Sequence, residues 1–463
     1  MSPVIAIVGR PNVGKSTLFN RLVGQRRALV DNRPGVTRDR HYGIAHGADR
    51  EVIVVDTGGF EPEPEDDLFV TVRAQAEMAI DEADVILFVV DRQAGLTPAD
   101  KMAADILRRR ADNRPAAGGR PGNERILLLV NKCDGPMHDD DAAEFWSLGL
   151  GEMYTISAEH GRGIYELWEA IGPLLPEALP GEGAEPEEDE EGEIRVAVMG
   201  RPNIGKSTLV NRLLGEERHV VHDSPGTTMD AVDSVLEIEG RRYRLVDTAG
   251  VRRRTRIEDR VESWASLRAI RTIERCHLVL LVIDGELGAS KQDSRLAALI
   301  EDRGRACIIL VNRWDKVRDD PERNVGVVDD EIDRHLPHLS WAPRLYISGL
   351  TGKGCHRIMP MVDQVYAEFD KRIPTHQLNL FLQDAVTAYS PPQLYSHPVK
   401  LNYATQARVR PPTFIVWANT PEGVGEPYKR YLMNRLRENF GFQGSPLRMQ
   451  IRQKRRPGED ADE

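Results

Sequence analysis

One eight-residue pattern, G-x-x-x-x-G-K-S, occurs twice in a single chain of 463 residues, as GRPNVGKS at 9–16 and GRPNIGKS at 200–207. Three further pairs follow in the same order. DTGG at Asp56 returns as DTAG at Asp247, NKCD at Asn131 as NRWD at Asn312, and SA at Ser157 as SG at Ser348. One such match arises by chance, but two ordered series of four marks predict two complete nucleotide sites on duplicated domains.

Within each repeat, short β-branched runs alternate with helical stretches, the pattern of a mostly parallel sheet flanked by helices. Strands are predicted at 4–8, 52–56, 85–90, 126–131 and 153–156, and again at 195–199, 243–247, 278–283, 306–312 and 344–347. Each motif then falls at the C-terminal end of a strand, where open α/β sheets bind ligands. Between the repeats, residues 181–193 carry eight acidic residues and no base, which predicts a self-repelling linker. After residue 372 the order becomes helix 375–388, strands 401–408 and 413–418, helix 427–439 and strand 447–452, a small α+β domain. The expected division is 1–178 and 194–371 for the two repeats, 179–193 for the linker, 372–456 for the third domain and 457–463 for a loose tail.

The net charge of −11 hides an asymmetry: residues 372–456 hold thirteen Lys and Arg against four Asp and Glu. A basic module on an acidic chain points to a polyanion such as nucleic acid, with a merely solvated basic face as the alternative. The apolar runs at 85–90 and 278–283 are strand-length, so no membrane span is expected. Cys133, Cys276, Cys307 and Cys355 lack C-x-x-C spacing and read as reduced thiols of a cytoplasmic protein.

In the repeated loop (Gly9, Arg10, Pro11, Asn12, Val13, Gly14, Lys15, Ser16, Thr17, and Gly200, Arg201, Pro202, Asn203, Ile204, Gly205, Lys206, Ser207, Thr208), backbone N–H groups and a helix N-terminus wrap phosphate oxygens. Lys15 and Lys206 supply charge to the outer phosphates, and the Ser16 and Ser207 hydroxyls reach Mg²⁺. Asp56 and Asp247 can hold the metal's water shell; Thr57, Gly58 and Gly59, and Thr248, Ala249 and Gly250, complete loops whose glycine N–H senses the γ-phosphate. Thr37 and Thr228 are placed to close over the metal. Base choice falls to Asp134, flanked by Lys132 and Cys133, and to Asp315, flanked by Arg313 and Trp314. A carboxylate there accepts from both N1–H and the exocyclic amine of guanine, and adenine offers neither pattern. Asn131 and Asn312 brace the loop, while the N–H of Ala158 or Gly349 faces the base oxygen. The ligands expected are GTP and GDP with Mg²⁺.

The combined series resembles the translation-factor-like small GTPases. Two such domains followed by a basic module resemble one family in particular, the Der (EngA) ribosome-assembly GTPases, through PTFIVWAN at 412–419 and YKRYLMNRLRENFGFQGSPLRM at 428–449 as well. The resemblance spans nearly the whole chain. It implies a KH-like third domain and GTP hydrolysis coupled to maturation of the large ribosomal subunit and its rRNA, by a monomer.

Three positions depart from that family's pattern: Arg313 stands for lysine, Gly349 for alanine and Met229 for arginine. Where many GTPases orient water with glutamine, this chain has Phe60 and Val251, which cannot hydrogen-bond a nucleophile. Hydrolysis must then rest on phosphate and metal electrostatics with help from elsewhere. Asn12 and Asn203 resemble the asparagine that ligates K⁺ in potassium-activated relatives, so activation by K⁺ is expected; a purely loop-stabilising asparagine is the alternative. Arg252, Arg253, Arg254 and Arg256 follow the second D-x-x-G and could show or hide charge to RNA. In the third domain, spacing puts most of Tyr389, Tyr395, Tyr428, Tyr431 and Trp417 in the core. Residues 372–456 are read as holding no G-x-x-G loop of the RNA-clamping type, which shifts RNA contact to Lys454, Arg455 and Arg456 or a domain interface. Two rival functions remain: a GTP-binding switch with little hydrolysis, and a tRNA-modification GTPase, which two nucleotide domains and isolated cysteines disfavour.

Overall fold

In a computed structural model, the described residues are 3–24, 42–47, 50–57, 76–77, 79–80, 83–111, 122–135, 137, 140–176, 192–215, 219–221, 233–248, 262–317, 323–394 and 397–453. The first repeat contains β1 (Val4–Val8), α1 (Lys15–Gly24), β2 (Tyr42–Gly47), β3 (Arg50–Asp56), β4 (Val85–Asp91), α2 (Pro98–Ala111), β5 (Ile126–Asn131), β6 (Met153–Thr155) and α3 (Ile164–Ile171). Its sheet runs β2-β3-β1-β4-β5-β6, parallel except for β2. Every residue of β1, β4 and β5 is buried. Ile5, Leu87 and Leu129 pack against Leu18 and Leu22 of α1 and Leu167 of α3, while Ala6, Phe88 and Leu128 are buried on the opposite face. Strands covered on both faces read as unbroken apolar runs, which is why they were legible.

The second repeat adds β7 (Glu193–Met199), α4 (Lys206–Gly215), β8 (His219–Val221), β9 (Ser234–Ile238), β10 (Arg241–Val246), α5 (Glu262–Arg275), β11 (Leu278–Asp284), α6 (Lys291–Asp302), β12 (Ala306–Asn312), α7 (Trp314–Val317), α8 (Val325–His335), β13 (Arg344–Tyr346) and α9 (Ile358–Phe369). Its sheet, β8-β9-β10-β7-β11-β12-β13, repeats the order of the first with one more antiparallel strand at the edge. Glu193, placed in the acidic linker by composition, opens β7 and pairs with Arg244 at 2.7 Å. The antiparallel strands β2, β8 and β9 were not anticipated. They are short, and β2 has glycine at its second and last positions, so neither period nor propensity marks it.

The C-terminal module holds α10 (Thr375–Ala388), the two-residue pair β14 (Gln393–Leu394) and β15 (His397–Pro398), then β16 (Leu401–Arg408), β17 (Thr413–Ala418), α11 (Glu426–Phe440) and β18 (Arg448–Gln453). β17 lies between antiparallel β16 and parallel β18. Leu378, Phe381 and Leu382 of α10 and Leu432 and Leu436 of α11 form one core with Ala404, Phe414 and Val416. This module and the second repeat belong to one compact unit. The Cys307 N–H at the start of β12 donates to Gly444 O at 2.9 Å, and the Gly444 N–H donates to Trp341 O at 2.9 Å. The docking therefore uses the N-terminal end of β12, opposite the strand end that carries Asn312.

All four cysteines are buried and none is joined in a disulfide. No described helix is long and apolar enough to cross a membrane.

Candidate nucleotide sites

Each phosphate loop is shaped by close backbone approach. Gly9 lies at φ +156°, and a Cβ there would sit 2.3 Å from Val89 O; at Gly14, φ +95°, a Cβ would sit 2.3 Å from Asn131 Nδ2. Asn12 takes a left-handed φ of +66°, and Asn203 repeats it at +60°. The loops deliver the chain into α1 and α4 at Lys15 and Lys206, and the first turn of such a helix offers its N–H groups to an anion. Lys15 Nζ is held by Gly9 O at 2.6 Å and Arg10 O at 2.8 Å. Burial lowers its pKa to about 8, with Asp56 opposing the shift and Arg10 adding to it. Lys206 Nζ likewise meets Gly200 O at 2.7 Å and the Arg201 carbonyl.

The base loop is tied to the phosphate loop by an asparagine in each repeat. Asn131 Nδ2 donates to Val13 O at 2.8 Å, and Asn312 Nδ2 to Ile204 O at 2.7 Å. The N–H groups assigned to a base oxygen, those of Ala158 and Gly349, here donate to Asn131 Oδ1 at 3.0 Å and Asn312 Oδ1 at 2.8 Å. Buried N–H groups must find an acceptor, and the bracing amide supplies it. Asp134 accepts from Ser157 Oγ at 2.7 Å. Lys132 and Arg313 share a left-handed backbone, φ +69° and +61°. Lys132 Nζ pairs with Asp91 at 2.7 Å, and Arg313 makes the same pairing with Asp284 at 2.8 Å. Arg313 also donates to Asn203 O at 2.5 Å, so the arginine joins the two loops directly. A cavity of about 480 Å³ opens between them, lined by Lys206, Ser207, Thr208, Asn312, Asp315 and Ser348. Trp314 beside it packs on Tyr346 at 4.5 Å between ring centroids.

Sequence reading missed a buried strut beneath each phosphate loop. Arg10 Nε lies 3.4 Å from Asp100, and Arg201 Nε lies 3.0 Å from Asp293, both carboxylates being wholly buried. Each aspartate also caps its helix: Asp100 accepts from Thr97 N–H and hydroxyl, Asp293 from Ser290 N–H and hydroxyl. The signal was present as T-x-x-D at 97–100 and S-x-x-D at 290–293. Such a capping box says nothing of its second role until burial is seen. Burial raises the pKa of Asp293, against its Ser290 bonds and Arg201.

For the metal, the described donors are one serine hydroxyl and one aspartate per repeat: exposed Ser16 with buried Asp56, and Ser207 with Asp247. Asp247 accepts from Thr272 Oγ1 at 3.2 Å and Thr57 donates to Ile7 O at 2.7 Å, which fixes these strand ends. A sparse set of hard oxygens suits Mg²⁺, which keeps several waters and takes its other ligands from phosphate. Thr37, Gly58, Gly59, Phe60, Thr228, Met229, Ala249, Gly250, Val251, Arg252, Arg253, Arg254, Arg256, Lys454, Arg455 and Arg456 lie outside the described residues.

A family described as "50S ribosome-binding GTPase" matches residues 4–132 and 195–313. A second, "KH-domain-like of EngA bacterial GTPase enzymes, C-terminal", matches 372–452. Proteins described as "GTPase Der" resemble the chain over its length: 46% identity across 98% of both chains in Geobacter sp. (strain M21), and 44% across 100% of this chain and 99% of the other in Trichlorobacter lovleyi. Among solved structures, Era in complex with MgGDPNP and nucleotides 1506–1542 of 16S ribosomal RNA aligns with 58% of this chain and 94% of its own, at 20% identity and a TM-score of 0.29.

Proposed function

We propose a function from one premise: this chain belongs to the GTPase Der family. Its repeats are GTPase domains, and it is a GTPase with a KH-like C-terminal domain. The proposal is that both repeats bind and hydrolyse GTP, and that their nucleotide state controls an assembly factor of the large ribosomal subunit in the cytoplasm, acting as a monomer on that subunit's rRNA. The observation that carries the two-site reading is the duplicated asparagine brace. It joins base loop to phosphate loop in both repeats, within 0.1 Å of the same length.

In this reading Asp134 and Asp315 select guanine, since only guanine presents two donors to a carboxylate. The nucleotide's phosphates draw Lys15 and Lys206 from the loop carbonyls that hold them. Water attacks the γ-phosphorus, the bond from phosphorus to the bridging β–γ oxygen breaks, and GDP, phosphate and a proton leave. Lys15, Lys206 and the loop N–H groups stabilise charge on the bridging and terminal oxygens as it develops. Ser16, Asp56 and Thr37, or Ser207, Asp247 and Thr228, would hold Mg²⁺, which would offset the negative charge of the phosphates. K⁺ at Asn12 or Asn203 is proposed as activator, and a turnover indifferent to exchange of K⁺ for Na⁺ rejects it. The domain limits proposed are 1–178, 193–371 and 372–456, with Glu193 moved from the linker to the second repeat because β7 begins there.

The test is phosphate release and co-sedimentation with large subunits in GTP, GDP and a non-hydrolysable analogue. Asp134→Asn and Asp315→Asn, made separately, should each remove one guanine site. A switch with little hydrolysis would bind at both sites without releasing phosphate.

A further inference from the structure

The C-terminal sheet buries one face under α10 and α11 and presents the other outward. Ala404, Phe414, Val416, Met449 and Ile451 turn to the core, so Tyr403, Thr405, Ile415, Trp417, Gln450 and Arg452 share the outer face. Of the five aromatic residues whose spacing put most in the core, Tyr428 is buried and Tyr431 packs on the core, Trp417 lies outside it, Tyr389 is exposed, and Tyr395 is outside the described residues. Register puts Tyr403, Trp417 and Arg452 in one row across the three strands. The Tyr403 and Trp417 rings stack at 5.7 Å with planes 16° apart, and Tyr403 is 37% exposed. A second row runs Arg408, Thr413 and Arg448, the last of which donates to the Asp302 carbonyl at the end of α6. The strands carry these three arginines and no acidic residue.

We propose that this outer sheet face binds single-stranded RNA, with bases stacked on the Tyr403–Trp417 platform and the backbone beside Arg452. A polyanion carrying planar rings matches an aromatic pair with an arginine in its own row, on strands that hold no carboxylate. A duplex fits less well, because its bases already stack on one another. The module's one G-x-x-G string, GFQG at 441–444, is docked on the second repeat, where the Gly444 N–H donates to Trp341 O and Gly444 O accepts from the Cys307 N–H, so RNA is read from the sheet instead of that loop. The inference rests on the ribosomal reading for its ligand and extends it to a named surface.

The experiment uses the full chain saturated with GDP and a fluorescent single-stranded RNA of about 12 nucleotides, within the length such platforms cover. Its pre-formed duplex serves as comparison, and co-sedimentation with large subunits is run in parallel. The single strand should bind more tightly than the duplex and quench tryptophan emission, and the quenching should vanish in Trp417→Phe while affinity stays. Trp417→Leu and Tyr403→Ala should each weaken binding about tenfold, as expected for a lost stacked base, with unchanged thermal unfolding and GDP affinity. Arg452→Gln should flatten the salt slope by about 0.7. Unchanged RNA affinity in Trp417→Leu and Tyr403→Ala overturns the proposal and leaves the ribosomal reading intact. So does co-sedimentation without RNA binding, which would mark the face as a protein contact. Failure of the unmodified chain to co-sediment in GTP, GDP and a non-hydrolysable analogue alike sinks the ribosomal reading itself.

Discussion

Lys15 shows how a single residue reports on its site. Its folded pKa, about 8, lies below the ordinary 10.5, so between these values the unfolded chain holds more proton than the folded one. From this group stability therefore rises with pH across that window. A bound phosphate reverses the balance by favouring the ammonium form. GDP binding at the first site should then take up a proton at pH near 8.5 and none near 6.5. Calorimetry in buffers of differing ionisation enthalpy reads this, and Lys15→Met should abolish it; buffer-independent heat at the higher pH would place the Lys15 pKa elsewhere. The strut offers a second residue-level test. Asp293→Asn keeps an oxygen for the Ser290 cap but removes the charge opposite Arg201, whose carbonyl holds Lys206. GDP release from the second site should quicken about tenfold, as when part of the roughly 3–5 kcal/mol cost of breaking a buried charge pair reaches the phosphate loop. Arg201→Gln should do the same, and the double variant should be no worse than either, since one interaction is being removed. Additive effects would mean that the two residues act separately. The motif residues were legible because their chemistry sits in short contiguous strings. Asp100 and Asp293 were not, because their partners lie about 90 residues away and only burial shows the pairing.

At the scale of elements, the two sites are alike in scaffold and unlike in their loop joints. Parallel strands could be read from sequence because burial on both faces leaves no polar alternation, as the seven buried residues of β11 illustrate. The edge strands β2, β8 and β9 lack that signature. The structure also gives a role to Arg313, which stands where the family has lysine. Its planar guanidinium reaches Asp284 and Asn203 O together, where Lys132 makes only its Asp91 pairing among the described bonds. A base loop pinned to the phosphate loop opens less readily. Arg313→Lys should speed GDP release from the second site about threefold, the worth of one modest hydrogen bond. Lys132→Arg should slow release from the first. Release of a fluorescent GDP analogue from single-site variants measures both, and a slower Arg313→Lys would show that the bridge does not hold the ligand.

Across the whole molecule, the second repeat and the C-terminal module are built to act as one body. The segment from Phe442 to Ser445 supplies the start of β12 with the acceptor for Cys307 N–H, and Arg437 holds that segment through Phe442 O at 2.7 Å and Ser445 O at 2.8 Å. Arg437 lies over the Trp341 ring at 5.6 Å, and burial lowers its pKa to about 10 with Glu301 opposing. Gly444 is the least replaceable part of the joint. Its φ is +74°, and a Cβ would lie 2.5 Å from Val365 Cγ2 on α9. Valine there must both leave a left-handed conformation and displace a packed side chain, which together cost about 2–4 kcal/mol. The module keeps a core of its own, with Phe414, Leu432 and Leu436 fully enclosed, so that cost should appear as separation of the two bodies while both stay folded. Calorimetry should show the second repeat and the module melting together in the unmodified chain and as distinct transitions in Gly444→Val. Hydrogen exchange at Cys307 should accelerate in step, because its amide loses the acceptor that Gly444 provides. A variant that melts as one body with Cys307 still protected would mean that Arg437 and Trp341, and not the backbone joint, couple nucleotide site to module.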